Sequence, residues 1–411
     1  MNIIKSIWTS VLMLCYFVLI FHVFDYLPLG FVQDAFTLAM LFLLFGFFAV
    51  EFFFDIKNKK ISQAHLIIFP ILLLPVINCI QSNLVFGQPW YYGFLAQRTN
   101  FFILLVSFNV MIIKRGWLTI NSLENHFFLA ANLCLVIFFY HNLFVDPLKY
   151  IDTDLVSYNS VRGYRFKFPN VIINSLLLYC IFKIWISKDR KYYLVLLPVI
   201  IYIFAFVKDR SQIVAILLTL LFYYLKNFTI KQRVLYAFSA LLTVLVVSVF
   251  LYSFFPGIID TYIELYGNVI KLFAGEQTEE YSTSLRVVES NIAIEGWLQH
   301  PWLGTGFLSQ QWQNGYFGIY KYFYPADVGI LGNLYVYGII GTLFYYLLFV
   351  FAALYSVNLK SNFNVFLVTS QYTMIYIFLD MFTTAINIKF ISIIVFFMSI
   401  IYYFRFFHKN N

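Results

Sequence analysis

Four residues carry types and surroundings that suit chemistry: Arg210, Arg286, His300 and Asp327. Arg210 stands in Lys208-Asp-Arg210-Ser211, at the mouth of an apolar run. A guanidinium there can grip phosphate oxygens through its planar fork, and a diphosphate at headgroup height is its natural partner. Its ordinary alternative is an interfacial cation, paired with Asp209 or reaching for lipid phosphates. Arg286 lies in Ser282-Thr-Ser-Leu-Arg286-Val-Val-Glu289, which reads as a capped helix start with apolar residues continuing through Ile292, Ile294 and Trp297. An i,i+3 surface pair with Glu289 would account for it equally well. His300 precedes Pro301 and a Gly304-Thr-Gly306 turn, where it either braces the loop or hydrogen-bonds a hydroxyl as neutral imidazole. Asp327, in Pro325-Ala-Asp327-Val-Gly329, is the last acid before an apolar run. It is suited to cap that helix or to act as a general base kept ionised by the helix dipole.

The elements that must hold these residues are membrane helices. Of 411 residues 62% are hydrophobic and only 11% charged, with mean hydropathy +0.81; an ordinary soluble domain carries about 25% charge. Stretches long enough to cross a bilayer lie near 6–24, 35–54, 64–80, 99–113, 126–145, 170–187, 192–207, 211–226, 234–255, 329–357, 363–381 and 388–407. The expected fold is therefore an all-α integral membrane protein of about twelve spans. Residues 1–255 would hold nine helices with short loops, 256–327 one large outer loop with amphipathic helices, and 328–411 the last three spans.

Charge sets the orientation. With a cytoplasmic N-terminus, the inner loops carry Lys57, Lys59, Lys60, Lys114 and Arg115, then Lys188, Arg190, Lys191, Lys231 and Arg233. Few acids accompany them, as the positive-inside rule requires. Segments 146–169 and 256–327 then face outward. The net charge of +8 is spread over these short loops, so it reports topology and gives no nucleic-acid surface. The first apolar run lacks a small-x-small cleavage site and is followed within a dozen residues by another, so it reads as a span. Cys15, Cys79, Cys134 and Cys180 all fall within spans and read as packing residues. No HExxH, phosphate-binding glycine loop or metal-ligand spacing occurs. Inner loops of about ten residues are too short to fold a nucleotide-binding module. Substrates must arrive from the bilayer or the outer side, which disfavours ATP and nucleotide sugars. Lys183 is expected at the cytoplasmic interface, and Asn78, Asn109, Asn132 and Asn174 in interhelical hydrogen bonds.

Three patches resemble the O-antigen polymerase and O-antigen ligase superfamily. They are Arg210-Ser211 opening a span, Ser284-Leu-Arg286 followed by Trp297-Leu-Gln-His300-Pro-Trp-Leu-Gly304-Thr-Gly306-Phe, and Gly338-Ile-Ile-Gly341. The motifs cover roughly 205–345, and the topology of many spans with one large late outer loop covers the chain. Many ligases place a His-Asn pair shortly before the Gly-x-x-Gly; this chain offers Asp327, eleven residues before Gly338.

The resemblance implies a GT-C-like, metal-independent glycosyltransferase without cofactor in a bacterial inner membrane, its site facing the periplasm. It implies a glycan on undecaprenyl diphosphate as donor and acceptor, membrane lipids around it, and a chain-length regulator as a further partner. Arg210 and Arg286 would stabilise the diphosphate leaving group, Asp327 would take the acceptor proton, and His300 would touch the sugar. A polymerase of surface-polysaccharide repeat units (O-antigen or capsule) is the reading that results, with a ligase moving polymer onto lipid A–core as nearest rival. A lipid-linked oligosaccharide flippase should instead show midplane charges and two related halves.

Overall fold

The computed structural model describes residues 2–27, 30–57, 63–150, 155–159, 163–233, 281–358 and 364–406, with single positions between 249 and 267. The first half contains α1 (Asn2–Ile20), α2 (Val23–Tyr26), α3 (Gly30–Lys57), α4 (Gln63–Phe86), α5 (Trp90–Gln97), α6 (Leu105–Lys114), α7 (Ile120–Phe144), α8 (Asn170–Ser187), α9 (Tyr193–Ile201) and α10 (Arg210–Asn227). The second contains α11 (Tyr281–Gln299), α12 (Gly315–Tyr320), α13 (Gly329–Asn358), α14 (Val365–Asp380) and α15 (Ile386–Phe406). This is an all-α membrane protein. Among the described residues, seven helical segments are long and apolar enough to span a bilayer, and shorter apolar helices cover Val11–Ile20, Val365–Asp380 and Phe390–Phe406. The window 234–255 and most of 256–280 lie outside the described residues.

Two local features depart from the sequence expectation. The window at 99–113 is the end of a longer path. There α5 continues through a 3-10 stretch, Arg98–Leu104, into α6, giving a span over Trp90–Lys114. The segment 146–169, expected on the outer side, contains a small antiparallel hairpin, β1 (Val156–Asn159) with β2 (Gly163–Phe166), in which Ser157 pairs with Arg165. Phe166 anchors it, packing edge-on to His141 at 5.4 Å and stacking on Phe168.

Lipid supplies no hydrophobic drive for helices to associate, so packing and polar contacts between helices must hold the bundle together. Phe127 of α7 is fully buried and meets Phe17, Tyr179, Phe366, Phe396 and Phe397, joining α1, α8, α14 and α15 through one ring. Outward-facing Phe42, Leu43, Phe53 and Leu194 are strongly exposed, as lipid-facing residues are. Asn109 bonds Tyr16 and Ser399, Asn174 bonds Gln212 and Tyr376, and Asn78 reaches the Val336 carbonyl. These three make the expected interhelical bonds, whereas Asn132 bonds the Phe128 carbonyl of its own helix. Lys183 pairs with Glu124 of α7, whose carboxylate also accepts from the Tyr179 hydroxyl.

Candidate active site

The turn that presents Arg210 is built from short-range backbone preferences. The π-helical stretch Tyr202–Val207 ends at Lys208, which adopts a left-handed conformation (φ 49°). Asp209 then caps α10: its carboxylate accepts from the Ser211 N–H at 3.1 Å and the Ser211 hydroxyl at 2.8 Å. Arg210 follows as the first residue of the helix. Arg286 lies in the second turn of α11 and is exposed, while Glu289, three residues on, is buried at 4% exposure. Asp327 lies on the 3-10 turn Pro325–Val328, two residues before α13 begins. The Ala326 carbonyl accepts from Ala385 N–H at 2.8 Å, tying this turn to the α14–α15 connection. Gly329 permits the turn: its φ is 56°, and an added Cβ would stand 2.3 Å from the Phe382 carbonyl oxygen.

Arg165 of β2 joins these groups into one constellation. Burial lowers its guanidinium pKa from the ordinary value; Asp209 and Asp327 oppose that shift, while Arg286 and Arg210 add to it. All four charges therefore act on Arg165, whose Nη1 also donates to the Val207 carbonyl at 3.5 Å. Arginine stays protonated in proteins, so the constellation sets three cations against two carboxylates. The β1–β2 hairpin, the start of α10, α11 and the turn before α13 each contribute. Behind it, Asp380 is buried and interacts with Tyr376, Thr383, Asp209 and Ser211.

Sequence reasoning missed Arg165. It lay in a segment treated as a connection. The available signal was the run Arg162, Arg165 and Lys167, three cations within six residues.

His300 occupies a different place. It stands fourteen residues beyond Arg286, so the intervening α11 sets the two about 20 Å apart along the helix axis. Its N–H bonds the Gly296 and Trp297 carbonyls, and its own carbonyl accepts from Gly304 N–H at 3.0 Å. The glycine motif beyond it forms a backbone clasp on α13. Thr305 N–H donates to Tyr335 at 2.8 Å and Gly306 N–H to Val336 at 3.1 Å. In return, Ile339 N–H donates to Pro301 at 2.9 Å and Ile340 N–H to Trp302 at 3.1 Å. Non-helical backbone alongside membrane helices persists only where protein satisfies its polar groups. Here the non-helical break at Gly338 (φ 61°, ψ −169°) supplies the facing partners.

Beside the constellation is a cavity of about 380 Å³ with Asp327 in its wall. It is lined from α2, α3, α5 and α15, together with Lys167 and the segment 307–327. The connections assigned to one side by charge thus meet around a single space.

The fold and this arrangement define a multi-pass membrane protein with a cationic site at converging helix ends. Residues 207–346 match the family model described as O-antigen ligase, consistent with the resemblance of its motifs to the O-antigen polymerase and ligase superfamily. The match supports a polymerase- or ligase-type function for this segment. No curated protein matches the chain. The matched segment contains Arg210, Arg286, His300 and Asp327 but not Arg165.

Proposed function

We propose that this protein is the polymerase that joins undecaprenyl-diphosphate-linked oligosaccharide repeat units into a surface polysaccharide, acting at the periplasmic face of the inner membrane. The convergence of Arg210 and Arg286 with Asp327 on Arg165, within and beside the family segment, supports this reading.

Each group has a role in one displacement. An acceptor hydroxyl oxygen bonds to the donor's anomeric carbon while the anomeric C–O bond to the diphosphate breaks. The electron pair leaves on the lipid diphosphate, whose growing charge Arg210 and Arg286 stabilise by preorganised donation. The hydroxyl proton passes to Asp327. The transferred sugar goes through an oxocarbenium-like state, as in glycoside cleavage, and a single displacement inverts its anomeric centre. His300 keeps its place in the family motif, and its backbone bonds favour bracing the α11 end over touching sugar.

A ligase that hands polymer to lipid A–core would use the same leaving group, and the family description names that activity. Purified protein given only lipid-linked repeat units separates the two. A polymerase makes a ladder of longer lipid-linked products, whereas a ligase makes none until lipid A–core is added. An absent ladder with transfer to lipid A–core would overturn the polymerase reading.

A further inference from the structure

Asp327 belongs to two surroundings with different chemistry. With Arg210 and Arg286 it acts on Arg165, and it also lines the 380 Å³ cavity, whose described lining includes none of those three arginines. The cavity has three carboxylates, Asp25, Asp34 and Asp327, against the cations Arg98 and Lys167. Asp34 pairs with Arg98, and Asp25 hydrogen-bonds His22 Nδ1 at 3.2 Å. Such a lining suits a neutral, hydroxyl-rich ligand better than a diphosphate. Aromatic faces are present too, since Phe317 and Tyr324 stack with an interplanar angle of 6°, and Phe307 stands edge-on to Tyr324. The volume lies within the roughly 300–1,000 Å³ usual for small-ligand sites.

We propose that this cavity is the subsite for the attacking sugar, the non-reducing end of the acceptor repeat unit, with Phe317 and Tyr324 as its aromatic wall. The inference rests on the reading of Asp327 as the group that receives the acceptor proton. A sugar held here presents its hydroxyl to Asp327 from the side opposite in chemistry to the arginine cluster, so donor diphosphate and acceptor glycan occupy separate regions.

The test uses the full-length purified protein and the repeat-unit oligosaccharide released from the cell's lipid-linked intermediate by mild acid and freed of phosphate. Binding is read by saturation-transfer NMR, and turnover by the KM of this soluble acceptor. Tyr324→Ala and Phe317→Ala should each weaken glycan binding and raise its KM by about tenfold or more. The donor KM, and kcat at saturating acceptor, should stay near parental. Undecaprenyl diphosphate should fail to displace the glycan. Parental glycan binding in both variants, equal weakening of donor and glycan, or displacement by undecaprenyl diphosphate would each overturn the subsite. Asp327→Asn separates the two readings: it should bind the glycan normally while turnover is lost. Parental turnover in that variant would remove Asp327 as base and leave the binding measurements to judge the cavity alone.

Discussion

Gly304 and Gly338 face each other so closely that neither can carry a side chain. A Cβ on Gly304 would stand 2.6 Å from the Gly338 nitrogen, and one on Gly338 2.5 Å from the Gly304 nitrogen. Both residues also have positive φ, 72° and 61°. The two glycine motifs of the family segment are thus the two halves of one backbone junction. Gly304→Ala and Gly338→Ala should each destabilise the protein through a strained backbone, about 1–2 kcal/mol, and a steric clash of about 1–3 kcal/mol. Lower melting temperature and loss of polymer should appear together. A Gly304→Ala protein that melts at the parental temperature would contradict the clasp.

The meeting of helix ends around the cavity carries a prediction about sidedness. Leu148 is 54% exposed beside the β1–β2 hairpin, and Lys191 stands in the turn between α8 and α9. In a cysteine-free background, Leu148→Cys should react with a membrane-impermeant maleimide from the periplasm. Lys191→Cys should react only after the inner membrane is opened. The reverse pattern would invert the topology and remove the proposed mechanism with it.

The arginine cluster predicts graded losses. Arg286→Ala and Arg210→Ala should abolish polymer while protein remains in the membrane, because loss of a diphosphate contact in a partly dry site costs several kcal/mol and each ~1.36 kcal/mol is tenfold in rate. Lysine at either position should rescue poorly, since an ammonium cannot reproduce the planar fork. Arg165→Ala should also lower activity, and it tests whether the hairpin outside the matched segment belongs to the site. Surface-polysaccharide ladders of parental length and intensity from any one of these variants would remove that arginine from it.

Hydropathy made the helices legible because roughly twenty consecutive apolar residues leave the chain few alternatives in a bilayer. The expected window 170–187 coincides with Asn170–Ser187, and Arg210–Asn227 matches its window within a residue at each end. The discontinuities were harder to see. A break such as Gly338 lies inside an uninterrupted apolar run, and only its partner loop reveals why a glycine stands there. Arg165 was hidden for a related reason, since a short hairpin between spans has no periodicity to separate it from a loop. Spacing also left Glu289 open as an i,i+3 surface partner for Arg286; its burial at 4% exposure was not legible from that spacing.

Asp327 separates a structural role from a catalytic one most cleanly. Its N–H bonds the Tyr324 carbonyl at 3.0 Å within the 3-10 turn, and α13 begins only after Val328. If its carboxylate serves only to hold this turn, asparagine should preserve much of the effect, because the side-chain oxygen remains. Asp327→Ala would then lose about 1 kcal/mol of stability and keep activity in proportion to folded protein. If Asp327 receives the acceptor proton, both variants should stop polymerisation while melting close to the parental temperature. The measurement is polymer formed by purified protein from undecaprenyl-diphosphate repeat units, paired with a thermal melt of the same preparation. Full polymer from Asp327→Asn would leave the proton acceptor to be sought elsewhere in the cavity wall, with the His22–Asp25 pair as the next residues to change.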